Sequence, residues 1–163
     1  MKVMKTVKVT PTITAALYAA NDQLGGVQDL SASEVLNRLT PSGPLRKIER
    51  GTRLKTVTIV DKAIQNAAIE IFFFNSLPVV AGDANAMSLT DAEMTDKFIG
   101  KVAIAALDWG TLALNSAVSK EVDLLLASKD YPSAYIYAVP MVTTTPTYVS
   151  TSDLVFTYVF EEL

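Results

Sequence analysis

The chain contains no cysteine and no histidine among its 163 residues. Without cysteine it forms no disulfide, holds no thiolate metal ligand and has no cysteine nucleophile. Without histidine it lacks the commonest general base and metal ligand, and Ser-His-Asp catalysis is excluded. We therefore expect no enzymatic activity, no catalytic or metal-binding residues and no cofactor.

Long hydrophobic runs are missing as well. A membrane helix needs about 18 consecutive apolar residues, and the nearest stretch, VAIAALDWGTLAL, is interrupted by Asp108 and Gly110. The opening MKVMKTVKVT has the positive charge of a signal peptide without its continuous apolar region. We expect no membrane partner.

Charge is distributed unevenly along the chain. Residues 1–55 hold nine basic and four acidic side chains, and residues 56–163 hold five and 13. The net charge of −3 and the pI near 4.9 are unlike those of nucleic-acid-binding proteins. The two opposite signs either guide self-association and docking or mix on one solvated surface.

The composition is that of a globular protein, with 50% hydrophobic and 19% charged residues. The length fits one domain, residues 1–163, with a core that needs no covalent cross-link. Residues 1–10 are assigned either to the first strand or to an extended N-terminal arm.

Short β-branched runs separated by Gly, Pro, Asn and Ser dominate the sequence. About eight or nine strands are predicted, and with them an all-β fold, an antiparallel β-sandwich or jelly roll with one or two short helices. The helices are placed after Ser31 and Thr90, each of which has a glutamate three residues later. The predicted strands after the first are ITAALYAA, LRKIER, LKTVTIVD, AIEIFFFN, IGKVAIAAL, LALNSAV, VDLLLAS, SAYIYAVPMV and DLVFTYVF.

The segment NSAVSKEVDLLLAS, residues 115–128, is ambiguous. Val118, Val122, Leu125 and Leu126 have helical spacing, which favours a helix or irregular structure for part of it. A strand remains the alternative.

Two predicted strands, AIEIFFFN and DLVFTYVF, have apolar side chains on both faces. A strand in a two-layer sandwich needs only one apolar face, so the outer face must be covered. The same chain, a neighbouring subunit or a ligand could cover it. This predicts core or subunit contacts for Phe72, Phe74, Tyr158 and Phe160.

Other residues offer further partner contacts. Trp109 is expected to be either a core anchor or an interface anchor. The stretch LRKIERGTRLK is either a solvated strand face or a docking surface for an acidic partner, through Arg46, Lys47, Arg50 and Arg53.

The densest acidic stretch does not match the calcium-loop spacing. Helix capping and solvation are therefore favoured over metal binding for its members, Asp83, Asp91, Glu93 and Asp96.

Four segments together resemble small structural virion proteins of tailed bacteriophages, of the capsid decoration or cement type. They are ALYAANDQLGG, LKTVTIVDKAIQNAAIEIFFFNSLP, AGDANAMSLTDAEMTDKFIG and SAYIYAVPMVTTTPTYVSTSDLVFTYVFEEL. The resemblance implies a β-sandwich or jelly roll, often trimeric, that binds the outer surface of the major capsid protein lattice. It also implies synthesis in the host cytoplasm, a place on the capsid surface of the virion, and no catalytic residue.

Two other functions remain open from the sequence. A tail or head–tail connector subunit would be present in far fewer copies than a cement protein. A carbohydrate-binding sandwich would expose aromatic side chains beside carboxylates in a groove, with Trp109 as its only Trp.

Overall fold

The computed structural model describes residues 3–30, 52–127 and 135–162. Within these ranges the α-helix is α1, Asp91–Asp96, and a 3-10 turn spans Ala106–Asp108. The strands are β1 Val3–Val9, β2 Gln28–Asp29, β3 Thr52–Asp61, β4 Ile69–Phe74, β5 Phe98–Ile104, β6 Gly110–Thr111, β7 Ser116–Ala127, β8 Tyr137–Val142 and β9 Leu154–Glu162.

The strands form two antiparallel sheets, ordered β1-β9-β3-β7-β6 and β2-β8-β4-β5. Apart from the short β6, the pairs are nested along the chain: β1 with β9, β2 with β8, β3 with β7, and β4 with β5. Such nesting is that of one long hairpin rolled into two facing sheets, which is a jelly roll. The predicted all-β sandwich of jelly-roll type with a short helix is confirmed.

The core lies between the sheets and is built by period-two alternation. On β9, Leu154, Phe156, Tyr158 and Phe160 are buried, whereas Val155, Thr157 and Val159 on the other face are half-buried. The Tyr158 ring packs at 6.3 Å from Phe156 and edge-on at 6.1 Å from Phe73 of the facing sheet. The aromatic row of the last strand therefore fills the sandwich.

The ambiguous segment 115–128 is a strand over Ser116–Ala127, so the preference for a helix was wrong. Its exposure alternates residue by residue, with Val118 and Leu126 buried and Ser119 and Leu125 exposed. The segment pairs with β3 along most of its length, and this pairing stabilises the strand. The helical spacing of four apolar residues therefore did not predict the structure.

Two other predicted strands are mostly loop. ITAALYAA forms only an isolated bridge between Leu17 and Thr147, and the first half of LALNSAV is a turn. The possible N-terminal arm is largely β1, paired with β9 from Val3 to Val9. The predicted helix after Thr90 is confirmed as α1, with the Thr90 hydroxyl accepting from Glu93 N at 3.2 Å.

The segments LRKIER and SASEVLNRL, and with them the Ser31 helix, lie outside the described residues. Among the residues that are described, no helix has the length and apolar character required to cross a membrane.

We predict that Tyr158→Phe destabilises the sandwich by about 1–3 kcal/mol. The Tyr158 hydroxyl donates to Gln28 Oε1 at 2.6 Å and so links β9 to β2 of the other sheet. Its removal leaves a buried amide without this donor. Urea unfolding measures the effect, and Thr157→Val, a hydroxyl loss on the half-exposed face of the same strand, is the control within about 0.5 kcal/mol. Equal stability of the two variants would contradict the linking role.

Candidate functional site

Four loops meet at one end of the sandwich, which we call the loop end: residues 10–20, 62–68, 105–115 and 143–153. Tyr148 N donates to Ala16 O at 3.1 Å, which joins the first loop to the last. Thr147 N donates to Gln65 Oε1 at 2.9 Å, and Asn66 Nδ2 donates to Thr111 Oγ1 at 3.1 Å. The loop 62–68 is thus bonded to both the loop 143–153 and the loop 105–115.

Two buried aspartates shape these loops. The Asp61 carboxylate is fully buried and accepts from Ala63 N and Gln65 N at 2.8 Å and from Asn66 N at 3.2 Å. Asp153, 5% exposed, accepts from the backbone N–H groups of residues 149 and 150 at 3.0 and 2.8 Å. A buried carboxylate is costly unless it is hydrogen-bonded, so the backbone of each loop is fixed around its aspartate.

The Asp61 turn also holds strained backbone. Ile64 has φ of 56° and Asn66 has φ of 49°. Asparagine tolerates this left-handed conformation, whereas for a β-branched residue it is a true outlier. Ile64 keeps it because the N–H groups on both sides of it are bound to the Asp61 carboxylate.

Burial dominates the electrostatics of the Asp61 site. It raises the pKa of Asp61 above its ordinary value of 3.8, while the backbone hydrogen bonds from Gln65, Ala63 and Asn66 act in the opposite direction. Burial also raises the pKa of Tyr148, and the Asp61 charge raises it further. The Tyr148 phenol is therefore neutral at neutral pH.

Hydrogen bonds also fix the backbone of the loop 105–115. Asp108 N donates to Ala105 O at 3.0 Å, and the Asp108 carboxylate accepts from Ala105 N at 2.9 Å and from Lys120 Nζ at 3.1 Å. Trp109 is 9% exposed, and its Nε1 donates to Ala67 O at 2.9 Å. The next turn is closed by Leu112 N, which donates to Asn115 O at 2.7 Å.

These turns present large aliphatic side chains to solvent. Exposure is 97% for Leu107, 84% for Leu114, 78% for Val149, 66% for Leu17 and 63% for Leu112. We call these five side chains the apolar set.

Two members of the apolar set, Leu17 and Val149, are next to buried residues in sequence. Tyr18 and Tyr148 are buried and pack edge-on at 5.7 Å, while Leu17 and Val149 beside them face outward. The exposed side chains are therefore set by backbone geometry rather than by an unfolded loop.

The loop end is also nearly free of charge. The chain as a whole is 19% charged, yet these four loops contain only Lys62, Asp108 and Asp153. Asp153 is buried, Asp108 is paired with Lys120, and Lys62 Nζ donates to Ser152 O at 2.9 Å. Charge depletion around exposed aliphatic groups is typical of a protein-binding surface.

Most of the aromatic residues with predicted core or subunit contacts are buried within the chain. Of the two roles left open by the sequence, Phe74, Tyr158 and Phe160 take the core role, since all three are buried within the single chain. Trp109 likewise packs in the core and anchors the loop end from inside. Phe72 is half-buried on the outer face of β4, with Lys101 Nζ 5.8 Å from its ring centroid.

The predicted basic surface is only partly described. Arg46, Lys47 and Arg50 lie outside the described residues, and Arg53 pairs with Asp123 at 2.7 Å. Asp123 also accepts from Lys55 at 2.9 Å. Arg53 therefore already has an acidic partner in its own chain.

The outer face of the β2-β8-β4-β5 sheet is covered in part by the same chain. Val139 and Met141 of β8 point away from the sandwich interior and are 0% and 9% exposed. Beside β8, Gln23 pairs with Met141 and with Asp83, which belongs to the connection between β4 and α1. Val139 and Met141 are therefore buried within the single chain.

Asp83 is a structural residue in the acidic stretch. Its carboxylate accepts from Thr14 N at 2.6 Å, from the Tyr18 hydroxyl at 2.8 Å and from Gly25 N at 2.5 Å. Over the described part of the chain, no three acidic side chains are grouped as metal ligands.

Sequence reasoning missed the apolar set. Leu107, Leu112 and Leu114 lie in VAIAALDWGTLAL, and the period-two pattern predicted strands over part of this stretch. The signal available was the combination of three leucines with Gly110 in a run almost free of charge.

No family model matches the sequence, and no curated protein matches it. Three solved structures have a similar chain path, with 10–11% sequence identity. The Kashmir bee virus empty particle at acidic pH has a TM-score of 0.35, covering 99% of this chain and 89% of that chain. Turnip yellow mosaic virus has 0.33, covering 99% and 80%, and deformed wing virus carrying the GFP gene has 0.36, covering 96% and 74%. Scores and identities this low support no conclusion about the present chain.

An NMR titration of the carboxyl carbons is expected to give Asp61 a pKa above 3.8 and Asp123 a pKa below it. Burial is the main cause for Asp61, and the hydrogen bond from Lys55, followed by that from Arg53, is the main cause for Asp123. Asp61 therefore contributes stability at acid pH that is lost as the pH rises through its folded pKa. Asp123 contributes stability above its unfolded pKa that is lost as the pH falls. An Asp61 pKa at or below 3.8 contradicts the burial of its carboxylate.

We predict that Gly25→Ala destabilises the protein by about 2–4 kcal/mol. A Cβ at Gly25 would lie 2.3 Å from Pro11 Cβ, and the residue has φ of +75°. Gly82→Ala is the matched control: φ is +97°, but nothing lies within 4 Å of the added Cβ. Its cost is about 1–2 kcal/mol from the backbone alone. If urea unfolding gives the same loss for both variants, the close approach at Pro11 is not significant.

Proposed function

We propose that this chain is a virion structural protein, and specifically a decoration or cement protein. It binds the major capsid protein on the outer surface of a capsid and stabilises the head against the pressure of packaged DNA. Its activity is binding, and it needs no catalytic residue or cofactor.

The observation that carries the proposal is the loop end. Its apolar set is exposed on turns that are fixed by hydrogen bonds, in loops with almost no charge. A protein acting alone in water gains nothing from five exposed aliphatic side chains at one end. An assembly subunit buries them against protein.

The fold and the sequence resemblance limit the classes of protein to which this chain could belong. Jelly rolls occur in viral capsid domains, lectins and cupins. Trp109, which a carbohydrate-binding sandwich would need as its stacking platform, is buried in the core. The resemblance of four sequence segments to tailed-phage virion proteins favours the decoration role among the structural ones.

The mechanism follows from buried area and copy number. An interface of standard size buries roughly 1,600 Å². Many copies linked across a shell add their contacts without each having to bind tightly, because each attached copy holds its neighbours close. Separating capsid subunits then requires breaking the contacts of the bound layer as well as those of the shell.

The test is to count and locate the chain in purified particles, and to heat particles assembled without it. We expect copy numbers comparable to that of the major capsid protein, labelling from outside the capsid, and loss of DNA at a lower temperature when the chain is missing. About a dozen copies at one vertex or on the tail would instead indicate a connector or tail subunit. Particles that lack the chain but resist heating equally well contradict the cement role.

A further inference from the structure

We propose that the loop end binds the loop end of a second copy of this chain. The proposal deepens the proposed function, on which it depends only for its setting in a particle. It assigns self-association to the apolar set, namely Leu17, Leu107, Leu112, Leu114 and Val149.

The exposed area fits a subunit contact. Burying a Leu or Val side chain removes roughly 60–120 Å² of apolar surface from water, so the set offers roughly 300–600 Å². A stable interface buries about 800 Å² on each partner. The apolar set therefore supplies a large part of one side, and the polar loop residues around it, such as Thr147 and Thr111, supply the rim.

The charge pattern favours a second copy over a strongly charged partner. The exposed charged residues of the loop end are Lys62 and Asp108, of opposite sign, and each is engaged within its own chain. Two copies can therefore approach end to end without like-charge repulsion. A strongly charged partner would find no free charge of opposite sign on this surface.

The turns that present the apolar set are already fixed. Leu107 lies in the turn closed between Ala105 and Asp108, and Leu114 lies in the turn closed between Leu112 and Asn115. Little conformational entropy is lost when such side chains are buried, and preorganisation of this kind strengthens binding.

A contact made through the same end of each copy generates a closed assembly. Copies related by a rotation axis bring their loop ends together at that axis, and the number of copies is then fixed. The homotrimer predicted from the sequence resemblance is one such arrangement.

The decisive variant is Leu107→Asp with Leu114→Asp. Both side chains are at least 84% exposed in the single chain, so the fold should be unaffected. The matched control is Leu77→Asp with Leu125→Asp, two leucines that are 58% and 41% exposed outside the loop end. Sedimentation velocity over a concentration series up to about 1 mM measures self-association, and circular dichroism verifies folding.

We expect the wild type and the control pair to form a closed oligomer, and the 107/114 pair to be weakened by about 100-fold or more while remaining folded. A wild type that stays monomeric throughout the series overturns the proposal, as does an oligomer that the 107/114 pair leaves intact. An oligomer that depends on these leucines but is not found in purified particles would uphold this inference and contradict the proposed virion role.

Discussion

The hydrogen bonding of two buried aspartates is the interaction on which the loop end depends. Asp61 and Asp153 lie where strands β3 and β9 meet the loops, next to each other in the sheet register through the Asp61–Leu154 pair. Carboxylates in this position must be satisfied by donors, and they recruit the backbone N–H groups of the loops 62–68 and 143–153. The other two loops are joined to this pair, since Asn66 Nδ2 donates to Thr111 Oγ1 and Tyr148 N donates to Ala16 O.

Together with the Asp108 turn and the Trp109 anchor, this constraint explains how a jelly roll can expose leucines without being partly unfolded. Tyr18, Tyr148 and Trp109 are buried in the core, and the aliphatic side chains of the same loops are exposed. In a monomeric protein this arrangement lowers solubility. In an assembly the same arrangement supplies an interface that is already ordered, which is the property that a structural subunit needs.

The sequence predicted the fold class well because period-two alternation is strong where both sheets contribute to the core. AIEIFFFN and DLVFTYVF became β4 and β9. It misjudged residues 115–128 because four apolar residues fit two periodicities, and only pairing with β3 decides between them.

The candidate site could be predicted far less well. The sequence left core and subunit contacts open for its aromatic residues, and Tyr158 and Phe160 are buried. Leu107 and Leu114 lie in a run of three leucines with Gly110 and little charge, but this pattern does not by itself distinguish exposed leucines from buried ones. Their position depends on long-range contacts, such as Trp109 with Ala67 and Lys120 with Asp108, that join segments far apart in sequence.

The most direct test uses the absence of cysteine from the chain. Leu107→Cys and, separately, Leu77→Cys each introduce a single thiol, whose rate of modification by a soluble maleimide can be followed as protein concentration rises. If copies meet through the loop end, the thiol at position 107 becomes protected at high concentration while that at position 77 stays reactive. Equal reactivity of the two thiols at every concentration would contradict the account.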